Sequence, residues 1–231
     1  MSRAQRPLSA LPGWLWAFLA TALAAQFALH SGGNAGPSSR ANLEAPPSLA
    51  ALRLASFGER EAAARLLALH VQSFDLDKVD YRHLVAWLRR ILELEPRSQY
   101  PLFLAARVYG ESPDPARARL ALDLAYQEFF VDPDRRWPWL AHAALLAKHR
   151  LGDLPLARRY ASALQRHACA PDVPLWARQM EVFILEDMNE LDAARIMLGG
   201  MLESGTIHDP AELRFLRQRL EELEARISGA R

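Results

Sequence analysis

From Ser48 onward no stretch of strand length alternates apolar and polar residues, and breakers recur at intervals that suit short helices. They fall at Phe57-Gly58, Phe74 to Asp80, Pro96 to Pro101, Gly110 to Pro115, Asp132 to Pro138, Gly152-Asp153, Pro171 to Pro174, Met188-Asn189 and Ser204 to Pro210. Between them Leu, Ala, Arg and Glu dominate and β-branched residues are sparse, so propensity and punctuation agree on an all-α body. Proline is accepted in the first helical turn and disfavours helix in the residue before it, which predicts helix starts at Pro101, Pro138 and Pro174. Helices of roughly 12 to 17 residues joined by short turns predict stacked helical hairpins.

Two segments repeat one grammar. EPRSQYPLFLA, Glu95 to Ala105, and DPDRRWPWLA, Asp132 to Ala141, each set an acidic residue before a proline; four residues follow, the last aromatic, and a second proline opens an apolar run. The copies lie 37 residues apart, and self-similarity at a fixed period of this size is the mark of a repeat architecture. Laid out at that period, Gly110 to Ala125, Gly152 to Leu164 and Asn189 to Met201 each pair a turn with a helix carrying Ala118, Ala157 or Ala194. Four residues on stand Leu122, Ala161 and Leu198, and three further Ala125, Leu164 and Met201. A small residue at the first of these positions lets two helices approach closely.

On these residues the chain resembles the tetratricopeptide repeat family, whose hairpins carry an early Ala in the second helix. The best unit runs from Leu102 through Ala105, Ala106 and Tyr109 to Ala118, Leu122 and Ala125. In the next two units Ala141, Leu145 and Lys148, then Arg178, Val182 and Leu185, stand where the family prefers a large residue, a glycine and a tyrosine. A partial unit starts at Ala51, with Leu54, Gly58, Ala63 and Leu67. The spacings of 39 and 37 exceed the family's period of about 34. The resemblance implies a TPR-like α-solenoid over residues 48–207, closed by a capping helix over 208–231.

Ahead of the body, Arg3 and Arg6 precede an uncharged run from Leu11 to Leu29. Nineteen residues at helical rise make roughly 28 Å, the hydrocarbon thickness of a bilayer. The run is expected to be a transmembrane helix, with residues 1–10 cytoplasmic, Trp14 and Trp16 at the interface, and the body on the outer, extracytoplasmic side. The alternative is a signal peptide cleaved after Ala22-Leu23-Ala24, leaving a secreted or periplasmic body. Residues 30–47 are rich in Gly, Ser, Pro and Ala and read as a flexible linker.

Chemistry is scarce. No nucleophile elbow, Walker-type loop, dinucleotide fingerprint or HExxH occurs, and the single Cys169 excludes a disulfide framework and a cysteine zinc cluster. With 28 basic and 27 acidic residues there is no global field to favour nucleic acid. Asp75, Asp77 and Asp80 lack the glycine and distal glutamate of a calcium loop and read as a solvated turn; Glu186, Asp187, Glu190 and Asp192 read as a solvated acidic rim. No enzyme, metal or cofactor is expected. The expected function is a membrane-tethered adaptor that binds a peptide or helix of another protein. In the resembling family the first helices of successive hairpins line a concave groove; here they supply Trp139, His142, Leu146 and His149, then Trp176, Gln179 and Phe183. The competing reading packs such tryptophans against the preceding hairpin. A second role is purely architectural, as an assembly subunit of a cell-envelope complex joined through the anchor and the last helix. There Asp209 is the expected N-cap, Glu212 completes a capping box, and Leu213, Leu216, Leu220, Leu223 and Ile227 offer either an inward seam or a short homodimeric coil.

Overall fold

The structure, a computed structural model, describes Ala17, Ala20, Thr21, residues 43–205 and residues 207–229. Most of the expected membrane segment and the first part of the linker lie outside the described residues. No helix among the described residues is long and apolar enough to cross a membrane. The chain divides into two units, Met1–Ala41 and Asn42–Arg231, and the second holds residues 43–205 and 207–229.

That second unit is all-α: no strand occurs among its described residues. The helices are α1 (Leu49–Ala55), α2 (Arg60–Gln72), α3 (Tyr81–Leu94), α4 (Tyr100–Phe103), α5 (Pro115–Phe129), α6 (Pro133–His149), α7 (Leu154–His167), α8 (Leu175–Asp187), α9 (Leu191–Glu203) and α10 (Pro210–Gly229). α4 runs into a π-helical turn over Leu104–Val108 and a 3₁₀ turn over Tyr109–Glu111. Side-chain caps fix several starts: Asp80 accepts from the N–H of Arg82, Asp114 from Ala116, Asp153 from Leu156 and Asp209 from Ala211. Phe57 and Gly58 both take positive φ, which ends α1 where the sequence predicts a break.

Packing follows chain order. From α5 onward each helix packs on the next, and α6 makes lighter contacts with α8. Three core clusters succeed one another: the first from Leu43 to Leu124, the second from Leu122 to Ile184, the third from Val182 to Leu223. Ala118, Ala157 and Ala194 are all fully buried, as are Leu122, Ala161 and Leu198. Gly110 is needed for a similar reason: a Cβ there would sit 2.6 Å from Leu122 Cδ2 and 3.0 Å from the Ala105 carbonyl. Leu54, by contrast, is 80% exposed, so the partial unit expected from Ala51 does not bury its leucine.

The two echoed segments touch. Arg136 Nη2 donates to the Pro96 carbonyl at 2.9 Å and Trp139 Nε1 to Gln99 Oε1 at 2.7 Å, both across 40 residues. Similar stitches recur along the body: Arg117 to the Asp77 carbonyl, Tyr160 hydroxyl to Asp123, and the N–H groups of Cys169 and Ala170 to Asp134 Oδ1.

Four expectations need correction. Pro138 does not start a helix: α6 begins at Pro133 and contains Pro138. The added turn is held from outside, because the buried Arg136 guanidinium also bonds the Glu128 carbonyl at 2.5 Å and its carboxylate at 3.1 Å. The packed body begins before Ser48, since Leu43 is buried and the carbonyls of Leu43 and Glu44 accept from His83 Nδ1–H and Trp87 Nε1–H. Glu186 belongs to no solvated rim; it is buried and clasped by Arg219 and Arg226, while Asp187 pairs with Lys148 and Glu190 with Arg158. Glu212 completes no capping box, because its carboxylate accepts from Gln179 instead.

Candidate groove on the aromatic face

An open surface groove of about 390 Å³ lies where α6 and α8 meet the end of α4. Its walls are Phe103, Arg107, Trp137 with Pro138, Trp139, Ala141, His142, Leu145 and Trp176. Three of the seven residues expected at a groove, Trp139, His142 and Trp176, therefore come together.

The other four do not join them. Leu146 turns inward beside Gly110 and packs against the second core cluster. His149 is exposed at the far end of α6. Gln179, only 3% exposed, faces α10 through Glu212. Phe183 lines a separate hollow of about 370 Å³ with Phe215, Gln218, Arg219 and Glu222. A helix face read by period 3.6 mixes these directions, because α10 reaches α8 at Gln179, Phe183 and Glu186.

The aromatic groups differ in what they already do. Trp139 is committed inward: its N–H is spent on Gln99 and its ring meets Phe103 edge-on at 5.8 Å. Trp176 is half exposed and meets Trp137 edge-on at 5.6 Å. Neither Trp137 nor Trp176 has a hydrogen-bond partner for its indole N–H among the described residues, and the Trp137 nitrogen is not buried.

Charge in the groove is one-sided. Arg107, carried on the π turn, is exposed and bonds only His142 Nδ1 at 3.3 Å, with no carboxylate partner among the described residues. Burial, and next the neighbouring guanidinium of Arg107, hold the His142 imidazole below its ordinary value. Glu111 lies 3.6 Å from His142 Nε2 and opposes that shift weakly. Neutral His142 leaves Arg107 as the groove's charge. Sequence reasoning missed Phe103, Arg107, Trp137 and Leu145; the aromatic immediately before each second proline of the echo was the available signal for Trp137.

A larger hollow of about 750 Å³ lies between α2 and the first echoed loop, lined by Glu61, Arg65, Leu69, Arg97 and Tyr100 among others. Its charges are of both signs, with Glu61 and Glu95 beside Arg65 and Arg97; Arg65 pairs with Glu61 at 2.5 Å, and Glu95 accepts from the Arg97 backbone. The aromatic groove has the composition of an anchoring site and this hollow does not. No group of three His, Cys, Asp or Glu able to hold a metal ion occurs among the described residues. Asp75, Asp77 and Asp80 serve as turn and cap, with a backbone N–H and Lys78 lowering the Asp75 carboxyl.

The chain matches no family model, no curated protein and no solved structure.

Proposed function

We propose that the protein is a non-catalytic, membrane-tethered adaptor: a divergent TPR-like array of hairpins, held outside the cytoplasm by its N-terminal apolar run, that captures another protein in the aromatic groove. Core clusters in chain order and hydrogen bonds that recur at about one repeat length support the array. The single observation that carries the binding role is Trp176. A large apolar ring that the fold leaves half in water, beside two more indoles and an unpaired guanidinium, has the make-up of an interface anchor.

The test is recovery of partners by tagged full-length protein from gently crosslinked native membranes, comparing wild type with Trp176→Ala. Because Trp176 is half exposed, the variant keeps its helicity. Loss of an anchor of this kind costs 2 kcal/mol or more, about thirtyfold in affinity, so a specific partner recovered by wild type is lost. An unchanged set of partners refutes the groove. Trp139 is a poor probe, since its replacement also breaks the stitch to Gln99.

A further inference from the structure

We propose that the occupant of the groove is a proline-rich segment in the polyproline II conformation, carrying a carboxylate beside its proline ridge. The inference rests on the adaptor reading above and specifies its ligand. A polyproline II strand has two properties: its carbonyls have no internal partners, and its rings form a stiff apolar ridge that loses little entropy on binding. The groove offers the complement of both. Trp137 presents an indole N–H donor that is neither buried nor partnered, Trp176 on the half-exposed rim adds a second donor without a partner, and their edge-on rings, with Pro138, Phe103 and Leu145, make an apolar slot.

An amphipathic helix fits less well. It needs anchors over two turns, a continuous apolar trough of roughly 10 Å. Here the apolar lining, Trp137 to Leu145 on α6 with Trp176 on α8, shares the groove with Arg107 and His142, and beyond it Lys148 and Asp187 tie the ends of the two helices together by an ion pair. An added β-strand has no exposed sheet edge to join among the described residues. The charge follows from Arg107, the one cation in the groove lining, which no carboxylate answers.

The experiment uses full-length protein in detergent micelles, with its six tryptophans carrying 5-fluoro labels and assigned by single Trp→Phe variants. The probes are three blocked peptides: hexaproline ending in glutamate, hexaproline ending in lysine, and a helical Glu-Ala-Ala-Ala-Lys repeat. The expected result is that hexaproline-glutamate moves the Trp137 and Trp176 signals at up to about 2 mM and leaves Trp87 unmoved. Replacing Trp176 by Phe keeps a ring and removes the donor, and weakens binding about fivefold. Arg107→Gln abolishes a preference of about tenfold for the glutamate over the lysine ending.

Absence of movement with either proline peptide overturns the proposal. Equal response to the helical repeat, or a lysine preference, overturns it as well. The partner recovery described above separates the two readings. Partners lost on Trp176→Ala without a response to proline sink only this ligand; partners kept sink the groove itself.

Discussion

Gly110→Ala tests how tightly the scaffold behind the groove is packed. The new Cβ would stand 2.6 Å from Leu122 Cδ2, 3.0 Å from the Ala105 carbonyl and 3.3 Å from Leu146 Cδ1. The first distance requires movement, and Leu122 is fully buried on α5, so its shift must displace core neighbours. Overpacking of this sort costs about 1–3 kcal/mol, while the backbone entropy saved by Ala returns no more than about 1. A net loss of about 1–2 kcal/mol is expected, which for a body of this size lowers Tm by about 2–8 °C. Thermal melting followed by circular dichroism at matched protein and detergent concentrations measures it. The clash is specific, so Leu122→Val in the Gly110→Ala background restores part of the loss although Leu122→Val alone destabilises. An unchanged or raised Tm, or simple additivity of the two changes, refutes the steric account.

Three further outcomes are expected. Arg136→Lys keeps the charge but cannot reach the Pro96 carbonyl and the Glu128 carbonyl and carboxylate together; a urea midpoint loss equivalent to about 2–4 kcal/mol results, and a loss below about 1 refutes the stitch between the echoed segments. Arg219→Met with Arg226→Met leaves Glu186 buried and unpaired, costing about 3–5 kcal/mol in chemical denaturation, and adding Glu186→Met recovers most of it. As the folded protein holds His142 below its ordinary value of 6.5, the unfolded chain takes the proton first on acidification. The His142 contribution is therefore complete above about pH 6.5 and lost as pH falls through the lowered value, and the wild-type urea midpoint drops over that range more steeply than that of His142→Gln.

The local rules that read well in the sequence concern groups whose partners lie within a turn or two. Gly58, Asp114 and Asp153 end or cap helices by backbone conformation or by bonds to residues two or three away, and the sequence shows both halves. Ala118, Ala157 and Ala194 were legible because the period repeats them. Pro138 misled for the opposite reason: the bonds that carry α6 through it come from Arg136 to Glu128 and Pro96, the latter 40 residues back. Glu186 read as solvated because Arg219 and Arg226, which enclose it, stand 33 and 40 residues on. Helical spacing selected Trp139, His142 and Trp176, which the fold brings to one groove, but it assigned Gln179 and Phe183 to the same surface because nothing local announces that α10 packs beside them.

The placing of α10 bears on how the protein is made. Its Leu216 and Leu223 close the third core cluster, in which Val182, Leu185, Ala194 and Leu198 are synthesised earlier on α8 and α9 and Ile207 on the loop between α9 and α10. While α10 is still inside the ribosome those side chains lack the cover of Leu216 and Leu223, and Glu186 has neither of its arginines. The last third of the body therefore settles only once α10 has emerged. A chain cut short before Leu216 displays an apolar strip that a chaperone or protease can recognise, so the arrival of α10 is read out by the fold itself.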